Sequence, residues 1–272
     1  MHMKAAGGMS AKTILGRVVD AVRVQDWTAI AVELVIVVMG VFVGTLVANW
    51  NERRLEKNET DRLLIQLQPE LHDFISFFDS ARQYFATTRR YADTAFAGWE
   101  RQRALSDSQF VVAAYQSSQI YGLPNNGQSW ALIFGGQQLR NIDDLKIRRD
   151  LSRVMTFNYN ALDFNSLATP YRQHVREVIP TQLQEEIRRA CGDRTHPEKT
   201  LAFLSLPSTC NLQIPAAEAA STAAKLRARP ELADELRWQL AAEAVFLSNV
   251  EQLEAPTRAL SAKIDATYPH SR

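Results

Sequence analysis

A run of twenty residues, from Ala29 to Ala48, contains a single charged side chain, that of Glu33. This run constrains the chain more than any other feature, because a helix that rises about 1.5 Å per residue would cover with it the roughly 30 Å hydrocarbon core of a bilayer. Trp27 and Trp50 bracket the run, and tryptophan rings prefer the headgroup level of a membrane. We therefore predict one transmembrane helix, whose partner is the lipid bilayer.

The apolar run divides the chain into three predicted parts. Residues 1–28 form a short cytoplasmic or interfacial segment, residues 29–50 form the transmembrane helix, and residues 51–268 form a helical domain. The first segment has apolar and basic residues at helical spacing, which is typical of an amphipathic segment on an anionic leaflet or of an extension of the same helix. The run is longer than a signal-peptide core and lacks a small-residue cleavage site after it, which favours a retained anchor.

Composition narrows the class of partner but does not identify a function. The chain of 272 residues has room for one sizeable domain besides the anchor. Its formal net charge of +1 gives no strong positive potential that would attract nucleic acid, so we expect no nucleic-acid partner. Charged residues at 22% are typical of an ordered globular protein.

Basic residues flank the apolar run on both sides, so the positive-inside rule does not decide the orientation. The two cysteines, Cys191 and Cys210, lie in one proline-containing loop. Their pattern is read either as a disulfide formed in an oxidising compartment or as two separate buried thiols. The disulfide interpretation places the N-terminus in the cytoplasm and the helical domain outside it.

Small residues within the span predict a helix-pairing face. Gly40 and Gly44 form a G-x-x-x-G pattern that Ala48 continues, and Glu33 shares the same helical face. Such a stripe lets two backbones approach closely in lipid and favours a homodimer. The alternative is that these residues simply face lipid, with Glu33 reaching the headgroups.

The residues after the span predict an all-α domain. Apolar residues recur at helical spacing from Leu55 to about Arg103, and we expect Pro69 to kink this helix rather than end it. Ser106, followed three residues later by Gln109, is a capping-box pattern that predicts the start of the next helix.

Three more helices follow in this interpretation, and no strand is expected because alternation with a period of two residues is absent. The predicted bounds are Asn141 or Asp143 to Cys191 with bends at Pro170 and Pro180, then residues 215–229, then a last helix that begins at Pro230. The predicted fold is therefore a transmembrane helix that continues into an extracytoplasmic bundle of long antiparallel helices.

No motif of an enzyme is present in the sequence. The chain lacks the glycine-rich, nucleophile-elbow and paired-histidine patterns that carry common catalytic chemistry, and we expect neither an enzyme nor a cofactor or metal site. Aromatic residues are concentrated in the middle of the chain, where Trp130, Phe134 and Tyr159 are candidates for the lining of a ligand pocket between helices. Core packing explains the same residues.

The end of the span carries a resemblance. The sequence Asn49-Trp50-Asn51-Glu52, preceded by Glu33-Leu34-Val35, resembles a widespread group of uncharacterised bacterial membrane proteins that begin with one span and continue into a helical domain. Weaker similarity continues to about residue 155. The resemblance implies a bacterial inner-membrane location with a periplasmic domain, and it implies that Glu33 and residues 49–52 matter. It implies no activity.

A membrane-interface motif is one physical interpretation of this junction. The amides of Asn49 and Asn51 would lie at the headgroup level, Trp50 and Trp27 would set the depth of the helix, and Glu52 would reach a basic residue of a second chain. We expect a non-enzymatic single-pass protein whose helical domain binds a partner protein or serves as an assembly or sensing module. The alternative is a domain that senses a small molecule.

Overall fold

A computed structural model describes residues 27–101, 105–123, 138–196 and 203–269. Within these ranges the chain forms seven α-helices, short 3-10 turns and two short strands, so the predicted all-α class is confirmed. The helices are α1 (Trp27–Trp99), α2 (Asp107–Gln116), α3 (Leu145–Met155), α4 (Pro170–Val178), α5 (Thr181–Cys191), α6 (Ala216–Arg227) and α7 (Glu231–Thr267). The predicted segment before the span lies outside the described residues, apart from its last two.

Helix α1 extends through both of the compact units into which the chain divides, residues 1–57 and residues 58–272. In the first unit its described side chains are exposed, including Leu55 at 60%, where the helical-spacing pattern of the sequence begins. In the second unit its apolar face is buried in the core. Pro69 lies inside the helix as expected, and the helix ends at Trp99, slightly before the predicted Arg103.

Helix α7 packs against α1 in the second unit and runs antiparallel to it. Gln68 of α1 donates to Asp265 of α7, whereas the later Phe85 stacks against the earlier Phe246 with ring centroids 5.3 Å apart. Rising numbers on one helix therefore meet falling numbers on the other. This pair matches the predicted long antiparallel helices, and the helices between them are much shorter.

Helix α2 is the most completely buried element of the domain, with every residue from Phe110 to Gln116 buried. Its predicted capping box is confirmed, because Ser106 accepts from the Gln109 amide and the Gln109 side chain accepts from the Ser106 amide. Close approach to α1 needs a glycine: a Cβ added to Gly98 would lie 1.9 Å from a ring carbon of Phe110.

The prediction of a single long helix that ends at Cys191 is wrong, because the structure has three helices there, α3, α4 and α5. Asp144 caps α3 by accepting from the amides of Lys146 and Ile147. Two 3-10 turns, Tyr159–Leu162 and Phe164–Leu167, follow α3. Pro170 and Pro180 begin new helices instead of bending one, since a proline disfavours helical geometry in the residue before it. Only the predicted end at Cys191 is confirmed.

The expectation that no strand exists is also wrong. Strand β1 (Arg194–His196) pairs antiparallel with β2 (Phe203–Ser205), with Thr195 opposite Leu204. Strands of three residues are too short to show alternation in a sequence, so tertiary pairing decides them. Helix α6 agrees with the alanine-rich helix predicted over residues 215–229, and α7 begins directly after Pro230, as predicted.

Candidate functional site

The apolar first part of α1 is exposed from Ile30 onward. From Ile30 onward the helix is long and apolar enough to cross a membrane, and none of its most apolar stretch is buried inside the protein. Phe42, for example, is 59% exposed. A core helix of a soluble domain would bury such residues. A lipid environment accounts for this surface without leaving apolar side chains in water.

The residues predicted to pair two helices lie in this exposed part. Glu33, Gly40, Gly44 and Ala48 are all exposed, and a Cβ added at either glycine would meet no atom within 4 Å. The surface at these glycines is therefore open to close approach by another helix. Pairing itself stays a prediction.

The predicted interface motif is likewise exposed, from Asn49 to Glu52, as is Trp27. The guanidinium of Arg54 lies over the Trp50 ring, 5.9 Å from its centroid. Such a contact places a cation and an aromatic ring together, the pair of groups that anchor spans at membrane interfaces.

Cys191 and Cys210 form a disulfide with their Cα atoms 5.5 Å apart, as the first of the two sequence interpretations has it. Cys191 is the last residue of α5 and is buried. Its carbonyl oxygen accepts from Nε2 of Gln116 at 2.6 Å, which joins the disulfide to the end of α2. The disulfide thus closes the loop that carries β1 and β2 onto the domain.

The structure describes only one member of the predicted ligand pocket. Trp130 and Phe134 lie outside the described residues. Tyr159 packs against Phe74 with ring centroids 6.1 Å apart, and its hydroxyl donates to the Val154 carbonyl oxygen at 2.9 Å. For Tyr159 the structure therefore shows core packing.

A different cavity, of about 410 Å³, lies between α1 and β2. Gln83, Thr87 and Arg90 of α1 line one side, and residues 203–206 line the other. Nη2 of Arg90 donates to Oγ1 of Thr87 at 3.0 Å. The cavity presents amide, hydroxyl and guanidinium groups, which suits a small polar ligand. Sequence reasoning missed it because the strand that forms its second side was not expected.

A polar cluster surrounds the C-terminal end of α2, where residues 116–119 are all buried. Arg172 Nη1 donates to the Ser118 carbonyl oxygen at 2.5 Å, and Arg176 Nη2 donates to Oε1 of Gln119 at 2.9 Å. Arg188 Nη1 donates to the Tyr115 hydroxyl at 3.3 Å. Two short helices, α4 and α5, thus bring three guanidinium groups to one place. The spacing of Arg172 and Arg176, one helical turn apart, is the signal that the sequence offered.

An apolar groove lies on α7. Trp238 is 67% exposed and Val245 is 63% exposed, and together with Ala241 and Ala242 they line a depression of about 470 Å³. The two large side chains are seven residues apart and so lie on one face of the helix. Large contiguous apolar surface on a folded domain is typical of an interaction site.

A buried carboxyl group lies between α1 and α7. Glu243 is 4% exposed, and it accepts from Gln239 Nε2 at 3.1 Å and lies 3.2 Å from Oγ1 of Thr88. Burial raises the pKa of Glu243 to about 7. The group is enclosed by protein side chains, so we assign it to the core.

Among the described residues, no group of three or more His, Cys, Asp or Glu side chains is arranged to hold a metal ion. The predicted start of helix α3 at Asn141 or Asp143 is wrong, because Asp144 is its cap and Asn141 ends a 3-10 turn. Comparison of the chain with protein-family models, with curated proteins and with solved structures gives no match.

Proposed function

We propose that this chain is a non-enzymatic, single-pass protein of a bacterial inner membrane, with its N-terminus in the cytoplasm and its helical domain in the periplasm. The observation that carries the proposal is the long exposed apolar surface of the first part of α1. The disulfide between Cys191 and Cys210 supports the periplasmic side, since structural disulfides persist in oxidising compartments. The resemblance of Asn49–Glu52 to bacterial single-span proteins supports the same topology.

The helical domain, in this proposal, binds a partner protein through the groove on α7. The exposed Trp238 and Val245 support this role, because tryptophan in a shallow apolar depression is a common anchor of protein interfaces. The partner would offer an apolar helical face to the groove. Self-association through the face that contains Gly40 and Gly44 would bring two such domains into one assembly.

Site-specific photo-crosslinking in cells tests the partner. A photoreactive residue is placed at Trp238 or at Val245 of the full chain, and at the exposed Gln252 of the same helix as a matched control. We expect both groove positions to crosslink to one and the same protein, identified by mass spectrometry, and Gln252 not to do so. Trp238→Ser should then remove that protein from the material that co-purifies. Crosslinks only between copies of this chain would refute a separate partner and indicate self-assembly.

Topology is tested on the same cells. A cysteine at Gln252, in a variant with Cys191→Ser and Cys210→Ser, should react with a maleimide that does not cross the inner membrane once the outer membrane is permeabilised. Protection of this cysteine until the inner membrane is lysed would contradict the periplasmic location.

The cavity between α1 and β2 favours a second candidate function, the sensing of a small polar molecule. Its polar lining of Gln83, Thr87 and Arg90 supports a ligand rich in hydrogen-bonding groups. Thermal unfolding of the full chain in detergent would be measured with sugars, amino acids and hydroxy acids. We expect Ala86→Trp, which fills the cavity, to abolish any stabilisation, and Ala262→Trp on the exposed face of α7 to preserve it. An equal response from both variants would exclude this cavity.

A further inference from the structure

Three arginines around the end of α2 carry an inference that is independent of the membrane topology proposed above. Arg172 and Arg176 both reach Oε1 of Gln119, at 3.4 Å and 2.9 Å, so their guanidinium groups are neighbours. The Arg176 guanidinium lies 4.9 Å from the centroid of the Tyr115 ring, and Arg188 bonds to the hydroxyl of that same ring. Arg176 thus contacts both Gln119 and Tyr115, while Arg172 contacts Gln119 and Arg188 contacts Tyr115.

These charges lack the carboxylate partners that other arginines of the domain have. Arg82 pairs with Glu254, and Arg227 pairs with Asp107 at 2.8 Å. Within the described residues, by contrast, the hydrogen bonds of the three clustered guanidinium groups go only to carbonyl, amide and hydroxyl oxygens. The acidic side chain of Asp193 lies nearby and accepts from the Tyr84 hydroxyl at 2.8 Å. Asp193 acts electrostatically on Arg172 and Arg176, although no salt bridge joins it to either of them in the described part of the chain.

Holding these cations together, partly out of water, is unfavourable. Burial, and after it the neighbouring Arg176, lowers the pKa of Arg172 to about 10. Burial also lowers the pKa of Arg176, and Arg188 adds to that effect. A bound anion would offset both the repulsion and the lost hydration.

Capping of α2 explains only part of the arrangement. A cation at a helix C-terminus bonds to carbonyl groups that have no partner within the helix, and Arg172 does this at the Ser118 carbonyl oxygen. A single guanidinium group is enough to hydrogen-bond to the Ser118 carbonyl oxygen. Arg176 and Arg188 bring two further charges, and among the described residues Nη2 of Arg172 and Nη1 of Arg176 have no protein acceptor.

We propose that Arg172, Arg176 and Arg188 form a binding site for the oxyanion of a small molecule, a phosphate or a carboxylate group. Guanidinium groups suit this chemistry because their planar donors match the paired oxygens of such anions. The Tyr115 ring beneath Arg176 holds that guanidinium in place, and the half-buried position of Arg172 and Arg176 strengthens each bond to the anion.

Thermal unfolding of the full chain in neutral detergent tests the site, with inorganic phosphate and citrate as probes and sodium chloride at equal ionic strength as the salt control. We expect a saturable rise of the unfolding midpoint with phosphate or citrate and none with chloride. Arg176→Gln and Arg188→Gln should each weaken the apparent affinity by about tenfold or more. Arg189→Gln, which removes the same charge from the exposed neighbouring position of α5, should bind like the wild type.

A second arm separates a free anion from a lipid headgroup. If the oxyanion belongs to a lipid, micelles that contain phosphatidylglycerol should stabilise the wild type more than Arg176→Gln. If the ligand is a free molecule, the soluble probes should stabilise the wild type more than Arg176→Gln, and the lipid micelles should not. A response to phosphate that does not saturate, or that is equal in Arg176→Gln, Arg188→Gln and Arg189→Gln, would overturn the proposal. Arg188→Gln alters an exposed side chain that makes a single bond, so it keeps the test valid should Arg176→Gln fail to fold.

Discussion

The buried carboxyl group of Glu243 should make the stability of the domain depend on pH, and replacing it by glutamine should remove that dependence. Burial of the carboxyl group favours its neutral form, and the hydrogen bonds around it can accommodate the added proton. Thr88 Oγ1 lies 3.0 Å from the Phe85 carbonyl oxygen and 3.2 Å from Oε2 of Glu243, but a hydroxyl has only one hydrogen. If Thr88 donates to Phe85, a protonated Glu243 can donate to Thr88, and all three groups are satisfied.

The magnitude follows from the pKa of Glu243, which burial raises from 4.5 to about 7. Below about pH 4.5 the carboxyl group is protonated in both the native and the unfolded state, and it contributes no difference. Between about pH 4.5 and 7 the unfolded state loses this proton while the native state keeps it, so stability falls as the pH rises. Above pH 7 the full penalty applies, and it amounts to about 3 kcal/mol because one pKa unit corresponds to about 1.4 kcal/mol.

Glu243→Gln should imitate the protonated carboxyl group, because the amide can donate to Thr88 and still accept from Gln239. We expect the variant to match the wild type at about pH 4 and to exceed its free energy of unfolding by about 3 kcal/mol at pH 8. Unfolding of both full chains would be followed by circular dichroism at several pH values in one detergent. Glu251→Gln, an exposed change on the same helix, is the control. A difference between Glu243→Gln and the wild type that is constant across this pH range would refute the reasoning.

Three further changes test other parts of the structure. Gly40→Ile together with Gly44→Ile should abolish crosslinked dimers in membranes, because branched side chains prevent close helix approach, and an unchanged dimer fraction would remove helix pairing. Reduction of the Cys191–Cys210 disulfide should lower the free energy of unfolding by about 3 kcal/mol, since it closes a loop with a sequence separation of 19 residues; a free-thiol assay on unreduced protein should find no thiol. Ser106→Ala should cost about 1 kcal/mol in chemical unfolding through loss of the α2 cap, and an effect within error would contradict that role.

Local sequence signals made the first and last helices and the start of α2 predictable. The apolar run predicts an exposed helix, the Ser106–Gln109 box predicts the start of α2, and the last proline-led helix begins directly after Pro230. Each of these signals acts within a few residues of the chain. The proposal that α1 crosses a membrane also rests on composition and length, because the thickness of a bilayer fixes the length of a helix that crosses it.

The region from α3 to α5 was not predictable in the same way. Its apolar residues keep helical spacing, but Leu145 at the start of α3 is 67% exposed and the helix ends at Met155. Spacing continues as if one helix were present, since each short helix presents its own apolar face to the core. The prolines at 170 and 180 were noted as bends, yet Pro170 is the first residue of α4 and Pro180 lies between the end of α4 and the start of α5.

The candidate anion site depends on that misjudged region, which is why sequence reasoning could not assemble it. A single helix to Cys191 would carry Arg172 and Arg188 about 24 Å apart along its axis, at about 1.5 Å per residue. The break between α4 and α5 turns the chain, so that both side chains reach Tyr115 and its neighbours at the end of α2. The same break lets the carbonyl of Cys191 accept from Gln116. The disulfide and the arginines therefore hold one end of one buried helix, and the polar residues there are buried because the turn supplies their partners.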